Sequence, residues 1–270
     1  MASPELLTPR SARVKAARRL ARRVSRAESR LFLAEGPQAV REALTLPGCV
    51  VEIFASAPAA AESHPGISRA AAAQHVDWLP ADDRAIESLA ETVNPQGLVA
   101  VCRFVDRPIA HVLDGRPGVV AVCADVRDPG NAGTVIRCAD AAGASAAVLT
   151  GNSVDAYNGK TVRATVGSLF HLPLAIEPDV LGTLDALTSA GLSILATDGN
   201  GELDLDDAID EGLLRRPTAW LFGNEAWGLP DEVAALADHR VRIPIHGRAE
   251  SLNLATAAAV CLYASARARR

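Results

Sequence analysis

The stretch that most limits how this chain can fold is an apolar run at 119–126 (VVAVCADV). It breaks at Asp128-Pro129-Gly130, and a helical pattern follows from about Asn131 to near Gly143. A continuous apolar run bounded by a turn and followed by a helix reads as a buried strand of a βα unit. That geometry aims backbone N–H groups and a few polar side chains at whatever lies above the strand end. Gly130 and Gly133 permit close backbone approach, and Asn131 is the expected N-cap. Arg137 falls on the helix. Taken alone, the pattern fits any βα unit, with Arg137 on a solvated face.

The alternation recurs along the chain. Residues 1–8 read as a loose tail, and Thr8-Pro9 as the start of a helix running to about Val24. Strands are expected at 31–36, 50–56, 76–79 and 97–104, with helices at 37–46, 67–75 and 82–91. Together they make a small α/β domain, residues 1–105. A polar stretch with two prolines follows, giving a linker at 106–117 and a second domain at 118–270. There, strands at 119–126, 144–151, 171–177, 192–201, 218–223 and 241–245 alternate with helices at 178–191, 231–238 and 251–270. Such alternation implies a parallel sheet covered on both faces, with ligands outside the carboxyl ends of the strands.

Charge is distributed unevenly. The whole chain carries -5, but residues 1–30 hold nine basic groups against Glu5 and Glu28, a local +7 that leaves -12 for the remainder. Arg10, Arg13, Lys15, Arg18, Arg19 and Arg22 sit on the polar faces of the first helix, so this segment is expected to lie along an RNA or DNA backbone; an ordinary solvated helix is the alternative. Arg163 is a further candidate for phosphate contact. The five cysteines show no C-x-x-C spacing and mostly lie in apolar runs, so reduced thiols of a cytosolic protein are expected, with no metal site. No apolar run reaches the length of a membrane span, and the basic N-terminal segment lacks the apolar core of a secretory signal. A cytoplasmic protein without a membrane partner is therefore expected.

Three strand ends collect Gly, Asn and Ser: 128–133, 223–229 and 243–255. A nucleotide-like cofactor could be gripped there largely by backbone groups. Neither G-x-x-x-x-G-K-[ST] nor a G-x-G-x-x-G after a strand is present, which argues against ATP or a dinucleotide. Glu225, just past a strand, would ordinarily be a turn residue or helix cap.

In order and spacing, DPGNAGTVIRCADAAGA, LFGNEAWGLP and IPIHGRAESLNLATAAAVCLY resemble the three motifs of the SpoU (TrmH) family, RNA ribose 2'-O-methyltransferases of the SPOUT superfamily that use S-adenosylmethionine. The likeness covers about 118–268. FLAEGPQAVREAL (32–44) is similar to part of the ribosomal-protein-like α/β RNA-binding domain that often precedes the catalytic domain. The resemblance implies an α/β fold whose C-terminal parallel-sheet SPOUT domain carries a deep trefoil knot, and a homodimer with the site near the subunit interface. It assigns Asn131, Arg137, Glu225, Ser251 and Asn253 to catalysis. Thr197, Leu221, Gly223, Ile243, Ser251, Leu252 and Ala255 would surround the cofactor. Arg137 would act on the ribose hydroxyl either as a base or as a cation stabilising the developing alkoxide. The implied substrate is structured RNA, with 23S ribosomal RNA first. A tRNA substrate, a non-enzymatic RNA-binding or ribosome-assembly role, and self-protection against an antibiotic stay open.

Overall fold

The structure, a computed structural model, describes residues 6–56 and 60–270. The chain divides into two compact units. One runs to Val105 and takes in Tyr157–Phe170; the other is Asp106–Ala156 with His171–Arg270.

The first unit is built on four strands: β1 (Leu31–Glu35), β2 (Val50–Ser56), β3 (Asp77–Ala81) and β4 (Leu98–Arg103), in the order β1-β4-β2-β3. β4 runs antiparallel to both neighbours, and β2 and β3 are parallel. Most of the loose tail expected at 1–8 lies outside the described residues. Leu7 is not loose: its backbone bridges Ala81, with its N–H donating to Pro80 O at 2.9 Å. The basic N-terminal helix is shorter than its periodicity predicts. It spans Ala12–Arg19 and is followed by a separate helix, Arg23–Ser29. Val14, Ala17 and Leu20 pack on Ala85, Ile86 and Leu89, whereas Val24 is exposed, so the apolar stripe ends at Leu20. The break is stabilised by Arg26, whose buried guanidinium donates to Leu20 O and Ala21 O at 2.8 and 2.9 Å. Carbonyls at the end of a helix have no partner within it, and a charged donor supplies one.

Tyr157–Phe170 lies in sequence within 118–270 but packs as part of the first unit. Tyr157 stacks on Phe104 with ring centroids 3.7 Å apart, and Phe170 stacks on Phe32 at 6.1 Å. The Tyr157 hydroxyl accepts the Val105 N–H at 2.9 Å. Arg163, on the short helix Gly159–Thr165, donates to Glu35 and Glu91, both at 3.2 Å.

The second unit has seven strands: β5 (Val119–Ala124), β6 (Ala146–Thr150), β7 (Leu174–Glu177), β8 (Ser193–Thr197), β9 (Leu203–Asp204), β10 (Thr218–Phe222) and β11 (His239–Arg242). Their order is β7-β6-β5-β10-β8-β11-β9, and every pairing is parallel. β5, β6 and β10 are buried along their whole length, as the unbroken apolar runs require of central strands. The chain leaves β5 in one direction, to β6 and β7, and fills the other side later. The β5/β10 boundary is therefore the switch point, outside which an open parallel sheet binds its ligand.

Several boundaries differ from expectation, and β9 was not expected. The 105–118 stretch contains a short helix, Ile109–Leu113. β11 ends at Arg242, so 243–245 is loop, not strand. The last helix is Leu254–Ala268, starting three residues later than its apolar pattern allows, because Asn253 caps it. This helix is fastened to β10 by a buried hydrogen bond from Trp220 Nε1 to Ser265 Oγ at 2.8 Å. Ser265→Ala would leave the indole N–H buried and unpaired, at a cost of about 1–3 kcal/mol. A urea unfolding midpoint unchanged from wild type would rule out that role for Ser265.

Candidate active site

The helix after β5 begins one turn before Asn131. Asp128 is its N-cap, accepting the Asn131 N–H at 2.8 Å, and Pro129 occupies the first turn. Asn131 was the expected cap; Asp128 displaces it because Pro129 needs no N–H partner and fits the first turn. The Asn131 side chain is thereby released for other contacts.

Those contacts join the three motif stretches. Asn131 Nδ2 donates to Glu225 Oε1 at 3.1 Å, and Asn253 Nδ2 donates to Asn131 Oδ1 at 3.1 Å. Asn253 Oδ1 in turn accepts the N–H groups of Ala255 and Thr256, at 3.0 and 3.3 Å. Both ends of the chain of bonds are fixed: a carboxylate only accepts and a backbone N–H only donates, so each amide has one orientation. Glu225 also accepts the N–H groups of Arg127 and Asp128, at 3.2 and 3.1 Å. Burial works to raise its carboxyl. The bond from Asn131 and the backbone N–H groups around it outweigh that and hold the group below the usual carboxylate range.

Glu225 sits in a tight turn. Asn224 N–H donates to Gly228 O at 2.8 Å, Gly228 N–H returns to Asn224 O at 3.0 Å, and Asn224 Nδ2 ties the turn to Asp125 O at 2.8 Å. A Cβ on Gly223 would come within 2.5 Å of the Gly228 carbonyl carbon, so the turn closes only with glycine there. Gly201 is similarly confined, its missing Cβ 2.5 Å from Arg240 O.

A cavity of ≈ 460 Å³ opens beside this network, within the range of small-molecule sites. Asn131, Thr197, Gly223, Glu225, Ile243, Ser251, Leu252 and Asn253 line it. Leu221, Ala255 and Arg137 do not: Leu221 is buried in the sheet, Ala255 lies in the first turn of the last helix, and Arg137 is exposed. Arg137 lies six residues beyond Asn131, about 120° around the helix and about 9 Å along it. Ile245 and Glu250, within the 243–255 stretch, and Asp198 also line the cavity, although none of the three was assigned to the site. The signal for Asp198 was its place directly after a strand.

The cavity contains three carboxylates, from Asp198, Glu225 and Glu250, and no Arg or Lys among the described lining residues. Such a set favours a cation and disfavours a polyphosphate. Among the described residues, none hydrogen-bonds to the backbone N–H groups of 245–252, which stay available to a ligand. Thr197 Oγ1 donates to Leu221 O at 3.2 Å, tying the ends of β8 and β10 together. A sulfonium nucleoside such as S-adenosylmethionine, with one permanent positive charge and a purine to be held by backbone, fits this chemistry. Cys123 offers no nucleophile: burial, helped by Glu225, pushes its thiol up to about 12 and leaves it a neutral SH.

The predicted RNA contacts lie in the first unit. Arg13 is half exposed and pairs with Asp77 at 2.8 Å, while Arg163 is held by Glu35 and Glu91. Arg10, Lys15, Arg18, Arg19 and Arg22 are exposed.

Residues 118–263 match the model of the SpoU rRNA Methylase family, and 11–100 match that of the MRM3-like substrate binding domain. The chain is 32% identical over 261 residues to 23S rRNA (guanosine(2553)-2'-O)-methyltransferase RlmP of Bacillus subtilis, covering 96% of this chain and 98% of that one. It is 41% identical over 146 residues to 23S rRNA (uridine(2479)-2'-O)-methyltransferase of Streptomyces viridochromogenes, 52% of this chain and 50% of that one. An AdoMet-bound rRNA methyltransferase from Sinorhizobium meliloti shares the fold with a TM-score of 0.82 at 32% identity, covering 97% of both chains. The chain belongs to the SpoU methylase family, and the resemblance carried by the three motifs is confirmed.

Because folding lowers the Glu225 pKa, its contribution to stability is complete above the unfolded value of about 4.3 and is lost as pH falls through the folded value. Between about pH 5 and 3 the wild type is expected to lose stability more steeply than Glu225→Gln. Urea midpoints falling in parallel for the two proteins would contradict this assignment.

Proposed function

We propose that this chain methylates a ribose 2'-hydroxyl in ribosomal RNA, using S-adenosylmethionine, and that 23S rRNA is its substrate, as the names of the Bacillus subtilis and Streptomyces viridochromogenes relatives state for those proteins. The observation that carries the reading is the Glu225–Asn131–Asn253 chain of hydrogen bonds at the edge of an acidic, backbone-rich cavity. Bound there, the cofactor would supply an electrophilic methyl group.

The protein's own contribution is positioning. Asn131 and Asn253 each spend one amide hydrogen on the network and keep one for a ribose or phosphate oxygen. Ser251, beside them on the cavity wall, offers a hydroxyl to the same group. Fixing the ribose at about 3–3.5 Å from its reaction partner supplies much of the acceleration available to such a transfer. Glu225 keeps Asn131 in one orientation. Thr197, Leu221, Gly223, Ile243, Leu252 and Ala255 shape the cofactor side, Leu221 and Ala255 from behind the wall.

Arg137 would act on the ribose hydroxyl, either as a base or as a cation facing the developing alkoxide. Its distance from the cavity on its own chain is the reason to read the enzyme as a homodimer in which Arg137 completes the partner copy's site. A trefoil knot at the C-terminal end, formed by the stretches around Glu225 and Asn253, and a cytoplasmic location belong to the same reading. The exposed cations on and beside the first helix, Arg10, Arg13, Lys15, Arg18, Arg19 and Arg22, would follow the RNA backbone, with Arg163 as a further phosphate contact.

Mapping 2'-O-methyl sites after incubation of total RNA with labelled cofactor tests the reading. A label on a base, or none on any RNA, defeats it. Arg137→Ala is expected to abolish transfer while S-adenosylhomocysteine binding, measured by calorimetry, is unchanged. Mixing Arg137→Ala with Asn131→Ala chains should recover roughly a quarter of wild-type activity, since half of the dimers then hold one intact site. No recovery would place Arg137 in the site of its own chain.

A further inference from the structure

The three tryptophans have different surroundings. Trp220 is fully buried and Trp78 half-buried, but Trp227 is 61% exposed. An exposed indole keeps its apolar face open to a partner, and its position here narrows what that partner is. Trp227 lies between two cavity-lining residues, Glu225 and Gly228, in the turn closed by the paired Asn224 and Gly228 backbones. Two more bonds stiffen that turn: Ala226 N–H to Asn224 Oδ1 and Asn224 Nδ2 to Asp125 O, both 2.8 Å. The indole is thus carried on a tethered turn, at most about 7 Å along the chain from the residue whose carboxylate orients Asn131. That reach is the size of one nucleoside.

We infer that Trp227 stacks on an unpaired nucleobase of the RNA, adjacent to the ribose held at Asn131, and so positions the substrate strand. The inference rests on the methyl-transfer reading for its substrate class. An indole offers a flat apolar face and one N–H, and Ala226, Gly228, Leu229 and Pro230 around it bring no charge. The anionic Glu225 on the same turn disfavours a phosphate there, and stacking is the contact that the indole face supplies. Stacking accepts every base, so Trp227 fixes the placement of the nucleotide and leaves its identity to other groups.

The test compares the full chain with Trp227→Ala and Trp227→Phe. A base–aromatic stack corresponds to a roughly 10- to 100-fold loss of RNA affinity on truncation to Ala. The loss should fall on KM for RNA, with Phe restoring most of it, and S-adenosylhomocysteine binding should be unchanged in both variants. Independently of turnover, an oligouridine should quench the red-edge fluorescence of the wild type and leave that of Trp227→Phe unaffected. If the wild type methylates no RNA but the quenching is seen, the methyl-transfer reading fails and the stacking survives. Equal KM values in wild type and Trp227→Ala overturn the inference. So does a Trp227→Ala protein that sediments as a smaller species, because Trp227 would then be covered by a second copy of this chain.

Discussion

The site depends on one short relay of hydrogen bonds, from the Glu225 carboxylate through the Asn131 amide to the Asn253 amide and on to the backbone of the last helix. Its members come from segments 94 and 122 residues apart from Asn131 in sequence. A primary amide can be turned over at little steric cost, so an isolated asparagine specifies no direction. Here the carboxylate at one end and the N–H groups at the other remove that freedom, and three loops at the sheet's carboxyl edge acquire one shared geometry. The strand order makes this possible, because it sets β5 and β10 side by side and brings the turns that follow them together.

Much of this was legible in the sequence. The unbroken apolar run of β5 predicted a buried parallel strand, and Gly223, Asn224 and Glu225 marked a turn of functional interest. Asn131, Glu225 and Asn253 came from motif likeness, since no local pattern says that residues so far apart will meet. What was not legible had physical causes. The cap passed from Asn131 to Asp128 because two neighbouring residues could both cap, and only the backbone path chooses between them. β11 stopped short of Ile243 because an apolar residue lining a cavity looks the same in sequence as one facing a core.

The basic N-terminal segment shows a similar limit. Nine cations in thirty residues read as one electrostatic surface, but they are not equivalent. Arg26 is turned inward to close a helix end and Arg13 is paired with Asp77, so a count of charges overstates what is available to a phosphate. Arg163 is likewise divided between two carboxylates, and contact with RNA would have to compete with both.

The aromatic stack of Phe32, Phe104, Tyr157 and Phe170 bears on how the protein is made. Two of its four rings are synthesised more than fifty residues after Val105, the last residue of the first unit's N-terminal stretch. The first unit therefore cannot complete its core when its own strands have left the ribosome. Phe32 and Phe104 stay partly uncovered until the chain has been extended through the first βα units of the second sheet. Contacts this distant in sequence are slow to close. The order of emergence thus departs from the usual rule that the N-terminal domain folds first during synthesis, and the two units are obliged to mature together.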